Sequence, residues 1–267
     1  MKNFWIYTAL ILSITSCQTV LENVPIPEIP QKAVVFGNIE VDGQYHSFRI
    51  TKSKPILNAS ESNEYDVITD ADVTVSSGAN TYTFTYSKVE ELYEYFGKLN
   101  LTAGEAILQV VTPTLGTLTS TVEVPEAIGA FDLKVDSIVR DYEVQYNILF
   151  TFPARDVPQY FRLEGFTGYA SDTFPAYATN EYFTNEENLD LPIKLKSSLY
   201  KWKDDQGGSA DLFVNVTRIS KEYYTYGKAL QTYNPDNPFA EPRPLPNNIT
   251  GGLGLFAITR TVRVKIE

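Results

Sequence analysis

Residues 33–51 read AVVFGNIEVDGQYHSFRIT. Two apolar or alternating runs, AVVFGNIEV and YHSFRIT, flank Asp42-Gly43. Asp-Gly between such runs is a tight-turn signal, because glycine adopts positive φ at no steric cost. The stretch therefore predicts an antiparallel hairpin, and the surrounding sequence repeats the theme. ADVTVSSGANTYTFTY (71–86) is a second hairpin turning through Ser-Gly-Ala-Asn, and GKLNLTAGEAILQVVTPTLGTLTSTVEVP (97–125) predicts three more short strands. Their turns fall near Ala103-Gly104 and Leu115-Gly116. About seven short strands in about ninety residues is the rhythm of an immunoglobulin-like sandwich, here placed over 31–126.

A second β region follows, expected as a larger β-sandwich over 129–267. FDLKVDSIVRDYEVQYNILFTFPA (131–154) holds two long strands. YFRLEGFTGYA (160–170), SADLFVNVTRIS (209–220) and ITRTVRVKI (258–266) hold one each. One helix is predicted over 220–233. Tyr223, Tyr226, Leu230 and Tyr233 share a face at helical spacing, and Ser220 is positioned to cap it. The loop 234–254 has five prolines and three glycines. So long an irregular stretch in a compact domain is either functional or ordered by packing. The fold class is thus mainly β, with one short helix.

Composition agrees. Aromatic residues make up 13% of the 267-residue chain, and Tyr (18) and Phe (15) far outnumber Trp (2) and Met (1). Such chains favour strands. The formal net charge of −11 disfavours nucleic acid and anionic lipid as partners.

The lone cysteine, Cys17, cannot form an internal disulfide. It follows Lys2 and an uncharged apolar run, FWIYTALILSI (4–14). That run is too short to span a bilayer, which takes about 20 residues, but it suits a secretory leader over residues 1–16. Ile14, Thr15, Ser16 and Cys17 form a lipobox, with the thiol as lipid attachment point. Two or more acyl chains anchor a protein stably. Gln18 and Thr19 follow, and outer-membrane attachment is expected, at the cell surface rather than the periplasmic face. VLENVPIPEIPQKA (20–33) carries three prolines, and residues 17–30 read as a tether, or alternatively as an edge strand on the first domain.

Chemistry-bearing residues are sparse. His46, the only histidine, lies in an alternating strand, where an exposed or packed role outweighs a catalytic one. No phosphate loop, dinucleotide fingerprint or nucleophile elbow is present, and no cofactor is expected. Asp66, Asp70 and Asp72, and separately Asp204, Asp205 and Asp211, are weak Ca²⁺ candidates with no EF-hand spacing; solvated turns are the simpler reading. Tyr177, Tyr182, Phe183, Tyr200 and Trp202 occupy a region poor in regular pattern. They are candidate aromatic contacts for a sugar or protein, against plain sheet packing.

NPFAEPRPLPNNITGGLGLF (237–256) closely resembles the C-terminal signature of DUF4249, a group of Bacteroidota lipoproteins. KAVVFGNIEVDGQYHSFRITKSKPIL (32–57), TDADVTVSSGANTYTF (69–84) and the helix ISKEYYTYGKALQTY (219–233) agree with it, so the resemblance covers essentially the whole chain after Cys17. It implies an outer-membrane lipoprotein of undefined activity. Members are often encoded beside TonB-dependent receptors, which implies an accessory role on a transporter barrel. Within the signature, Phe239, Pro242, Pro244, Leu245, Pro246, Gly251 and Gly252 form a candidate partner-binding loop, stiffened by its prolines. The other reading of that loop is a buttress against the helix.

Three functions follow as expectations. The first is a non-enzymatic binding subunit on a TonB-dependent receptor, assisting ligand capture or uptake. The second is a free-standing surface adhesin or scaffold. The third is a hydrolase using paired carboxylates.

Overall fold

The computed structural model describes residues 30–54, 65–169, 172–202, 211–233 and 244–266. The leader, Cys17 and nearly all of the tether lie outside the described residues. The chain is mainly β. The first hairpin pairs β1 (Ala33–Glu40) with β2 (Tyr45–Lys52), and the Gly43 amide donates to Glu40 O across the Asp42-Gly43 turn (3.0 Å). The second pairs β3 (Asp72–Ser77) with β4 (Asn80–Ser87) through Gly78, at φ +59°. Then come β5 (Leu92–Phe96), β6 (Gly104–Thr112) and β7 (Gly116–Val124).

One strand moves from its expected place. GKLNL (97–101) is not extended pairing backbone; LYEYF (92–96) is the strand, burying Tyr93. Tyr93 OH donates to Ile68 O and accepts from the Ala71 amide, so its position is fixed by polar as well as apolar contacts. Leu99 still enters the core, although no ladder holds it.

After the linker come β8 (Asp132–Val139), β9 (Glu143–Phe152), β10 (Tyr160–Tyr169), β11 (Asp172–Thr184), β12 (Ile193–Trp202) and β13 (Asp211–Ile219). The segment expected to lack regular pattern is therefore two strands, β11 and β12. Ile193, Leu195, Ser197 and Leu199 are the buried row of β12, and a serine among them weakens the alternation. In β11, Pro175 sits beside a register shift against β10, where a missing N–H is tolerated. The helix α1 (Lys221–Thr232) and β14 (Leu253–Lys265) complete the chain. Ser220 caps α1, its hydroxyl accepting from the Tyr223 amide. Among the described residues no helix is long and apolar enough to cross a membrane.

Among the described residues the strands hydrogen-bond in the order β7-β6-β3-β4-β5-β2-β1-β14-β13-β10-β11-β12-β9-β8. The sheet folds back twice to enclose two cores. β4 makes the first corner, pairing with β3 through Phe84 and with β5 beyond it. β11 makes the second, pairing with β10 and, at Tyr177, with β12. The first core holds Val35, Phe48, Phe84, Leu108, Leu118 and Phe256; the second holds Phe150, Leu163, Leu195, Leu212 and Val216.

The expected division at residues 126–129 falls inside one compact unit, Gln31–Glu267, and the first core also takes Ile249, Phe256 and Ile258 from beyond it. The reason is β14. Leu253–Thr259 pair in parallel with Val34–Glu40, and Thr259–Lys265 pair antiparallel with Phe213–Ile219. One strand thus belongs to both halves. Its run Leu255-Phe256-Ala257-Ile258 is buried throughout, as expected for parallel strands covered on both faces.

Glycines at the entry to β14 make that approach possible. A Cβ on Gly254, at φ +122°, would stand 1.9 Å from Val35 O. We expect Gly254→Ala to cost at least about 2 kcal/mol, a fall in Tm of about 4–8 °C. Gly129→Ala, where a Cβ would meet nothing within 4 Å, is the matched control in the same thermal melt.

His46 is packed, 1% exposed, with neither ring nitrogen hydrogen-bonded. Burial pushes its imidazole below the ordinary range, opposed by the backbones of Gly97 and Gly43. The unfolded chain then binds a proton that the native protein resists. Stability is full above about pH 6.5. It falls as pH drops from there toward the lowered native pKa. Urea denaturation at pH 7.5 and 5 should show this loss in wild type and a smaller one in His46→Phe; equal losses would assign the acid sensitivity elsewhere.

Candidate functional site

The two halves meet at a cleft of about 600 Å³, lined by Glu123, Pro125, Glu126, Tyr160, Glu186, Arg218 and the start of α1 at Ser220–Glu222. Its framework follows from the pairing of β13 with β14. That register sets Arg218 directly opposite Arg260. Two like charges facing across a ladder repel, so each needs a counter-charge or acceptor. Arg218 reaches Glu126 at 3.2 Å, and Arg155 approaches the same carboxylate at 3.9 Å. Arg260 donates to Pro125 O at 3.2 Å and pairs with Asp42 at 3.4 Å. The linker residues Pro125 and Glu126 are thereby clamped onto the shared strand and its neighbour. Burial lowers the Arg218 guanidinium, while Glu126 holds it up.

At the mouth of the cleft, Lys221 Nζ donates to Glu186 Oε1 at 2.6 Å and Tyr160 OH donates to the same oxygen at 3.0 Å. The Lys221 hydrogen bond, then that of Tyr160, hold the Glu186 carboxyl below its ordinary range. Lys221 is raised by Glu186; Tyr160 is raised by burial first and by Glu186 second. Glu186 is thus held ionised, the opposite of what a general acid needs. A smaller apolar recess of about 190 Å³, with Ile128, Phe152, Phe161 and Ile193, adjoins this cleft and shares Gln159 and Arg218 with it.

The sequence-derived candidates fall elsewhere. Cys17, Phe239, Pro242, Asp204 and Asp205 lie outside the described residues. Asp211 pairs with Lys265 at 2.8 Å, and no group of metal-binding side chains occurs among the described residues. Asp66, Asp70 and Asp72 are exposed.

Of the five aromatics, Tyr182 and Phe183 lie on opposite faces of β11. Tyr182 lies beneath α1, its ring filling the space a side chain on Gly227 would need, edge-on to Tyr223 and Tyr224. Phe183, on the opposite face of β11, packs on the second core. Tyr177 and Tyr200 are opposed across β11 and β12, and Trp202 ends β12 opposite Glu143. Consecutive strand residues point to opposite faces, so Tyr182 and Phe183 cannot share one surface.

The signature loop is built into the fold over the residues described. Leu245 is exposed, and Pro246, Asn247 and Asn248 border α1 at Lys221, Glu222 and Thr225. Asn248 substitutes for a strand: its amide donates to Phe256 O at 2.7 Å and its Oδ1 accepts from the Phe256 amide at 2.9 Å. Ile249 enters the first core, and Thr250 exchanges backbone hydrogen bonds with Thr119 of β7. A Cβ on Gly251 would stand 2.6 Å from Thr117 O, and one on Gly252 2.7 Å from Ala33 O. Gly252 is buried against the first core, whereas Gly251 is exposed beside β7. The helix face expected from Tyr223, Tyr226, Leu230 and Tyr233 is half used. Tyr226 meets Phe36 at 6.0 Å and Tyr223 accepts from Arg162 at 3.0 Å, while Leu230 and Tyr233 are exposed.

No curated protein matches this chain. Among solved structures it is similar to a Salmonella alpha-2-macroglobulin mutant, at 10% identity and TM-score 0.27 over 93% of this chain and 15% of that one. It is likewise similar to trypsin-activated alpha-2-macroglobulin from Escherichia coli, at 10% identity and TM-score 0.23 over 71% of this chain and 14% of that one. A DUF3823 family protein from Parabacteroides merdae matches at 10% identity and TM-score 0.18, over 72% of this chain and 92% of that one. The family model for the domain of unknown function DUF4249 matches residues 22–264. The chain, from its first hairpin to its shared last strand, belongs to the DUF4249 family.

Proposed function

We propose that this protein is a non-enzymatic binding subunit, lipid-anchored through Cys17 at the outer-membrane surface, that docks on a TonB-dependent receptor and assists ligand capture or uptake. The cleft at the junction supports binding over catalysis. Its central ionisable groups are engaged with one another, Glu186 with Lys221 and Tyr160, and Arg218 with Glu126. A carboxylate hydrolase needs two converging acids with one pKa raised. The carboxyl raised by burial, Glu181, has Ser197 as its hydrogen-bond partner, not a second acid.

A free-standing adhesin is the second reading, favoured by one patch. Tyr45 and Phe96 are exposed, with rings 5.2 Å apart, and Tyr45 OH donates to Glu94 at 2.6 Å. Exposed aromatic faces beside a carboxylate suit a sugar ring.

Two measurements test the proposal. Metabolic labelling with palmitate should mark wild type and not Cys17→Ala, which should also leave the membrane fraction. Affinity purification of tagged wild type from mild-detergent membranes should recover a TonB-dependent receptor in stoichiometric amount. Recovery of a clean protein would transfer the reading to the adhesin. Glycan binding lost at least tenfold in Phe96→Ala would then support that alternative.

A further inference from the structure

Among the described residues the strand order leaves two edges, β7 and β8, and one of them is met by another segment. β7 is met by Thr250 through two backbone hydrogen bonds. Among the described residues, β8 pairs with β9 alone. Its sequence is DLKVDSIV, and it is exposed on both faces apart from half-buried Leu133. Val135 is 39% exposed, Ile138 48%, Val139 67% and, in the following turn, Tyr142 77%. Proteins ordinarily blunt such an edge with charges, proline, a bulge or a covering loop; β8 has charges alone, Asp132, Lys134 and Asp136, which deter a foreign strand but not one of matching opposite pattern. The register of β8 against β9 is unbroken over eight residues, and β8 contains no proline.

The hairpin fixes which backbone groups face outward. The Arg140 amide donates to Glu143 O at 2.8 Å, closing a two-residue turn. Hydrogen-bonded and non-hydrogen-bonded pairs alternate along an antiparallel ladder. Asp132, Lys134, Asp136 and Ile138 therefore direct their backbone groups to β9. Leu133, Val135, Ser137 and Val139 direct theirs to the open edge.

Only residues of that second set can pair with an added strand, which restricts the registers of two β8 strands meeting about a two-fold axis. Centring the axis on Lys134 or Asp136 sets like charges opposite each other, which is destabilising. Centring it on Val135 pairs Val135 with itself and Leu133 with Ser137. It also places Lys134 directly opposite Asp136, twice by symmetry. In that register the outward backbone groups of Leu133, Val135 and Ser137 are all satisfied, and both charges meet their opposites at the close, non-hydrogen-bonded positions.

We infer that β8 is a self-association edge: two copies of this chain join antiparallel through Leu133–Ser137, centred on Val135, continuing the sheet across a two-fold axis. The occupant is a second copy because the strand's charge pattern is complementary to itself read backwards.

The test is sedimentation velocity of the full chain in mild detergent over a concentration series. Wild type should dimerise. Lys134→Asp should raise the dimer dissociation constant at least tenfold, and the exchanged pair Lys134→Asp with Asp136→Lys should restore it. Val135→Pro removes an outward N–H without touching the β9 ladder and should also give monomer. A wild type that stays monomeric at tens of micromolar would overturn the inference. So would a dimer indifferent to Lys134→Asp and Val135→Pro, or an exchanged pair that folds like wild type, by circular dichroism, but does not reassociate. Receptor recovery in the pull-down is a separate readout, so failure of one reading leaves the other standing.

Discussion

The structure depends on a single strand that completes two sheets. β14 must lie parallel to β1 over its first half and antiparallel to β13 over its second. The change of partner occurs at Thr259, where a polar knot fixes the register. Glu40 accepts from Thr259 Oγ1, Thr261 Oγ1 and the Thr261 amide at 2.7–3.0 Å, and Thr261 meets Thr217 at 3.0 Å. A carboxylate accepting several hydrogen bonds holds its donors more firmly than neutral acceptors do. Glu40 therefore joins the end of β1 to the strand that leads into the second half.

The junction chemistry is a consequence of that arrangement. Opposing Arg218 and Arg260 across the shared ladder creates a local excess of positive charge within an acidic protein. The linker, Asp42 and Glu126 are drawn in to neutralise it. The cleft is what remains between this clamp and the start of α1, and its walls come from four separate parts of the chain. Such a site is held in shape by the fold, which lowers the entropic cost of binding to it.

The legibility of these features differs for physical reasons. The first two hairpins could be read directly, since β-branched alternation and glycine turns are local properties. α1 was equally readable from its serine cap and tyrosine spacing, but its buried contact was not. Gly227 carries no hydrophobic signal, and it matters because Tyr182 packs where a Cβ would be. β11 and β12 escaped notice because a proline at a register shift and a serine in a buried row interrupt the pattern. The signature loop stood out by composition, but composition could not distinguish a binding loop from a closure. The Asn248–Phe256 exchange and the glycine contacts on β1 and β7 are long-range facts. The cleft was invisible for the same reason: Arg218 and Glu126 are ordinary surface residues until the β14 register brings them together.

The parallel pairing of β1 with β14 also orders events in time. More than two hundred residues separate Val34 from Leu253, so their contact closes a very long loop, and long-range pairings of this kind form slowly. Until β14 arrives, Phe256 and Ile258 are missing from the first core, and β1 and β7 present open edges to each other's surroundings. A chain emerging N-terminus first would hold its first half unfinished until its last strand appeared. The last strand then supplies Phe256 and Ile258 to the first core and Val264 against the second in a single arrival.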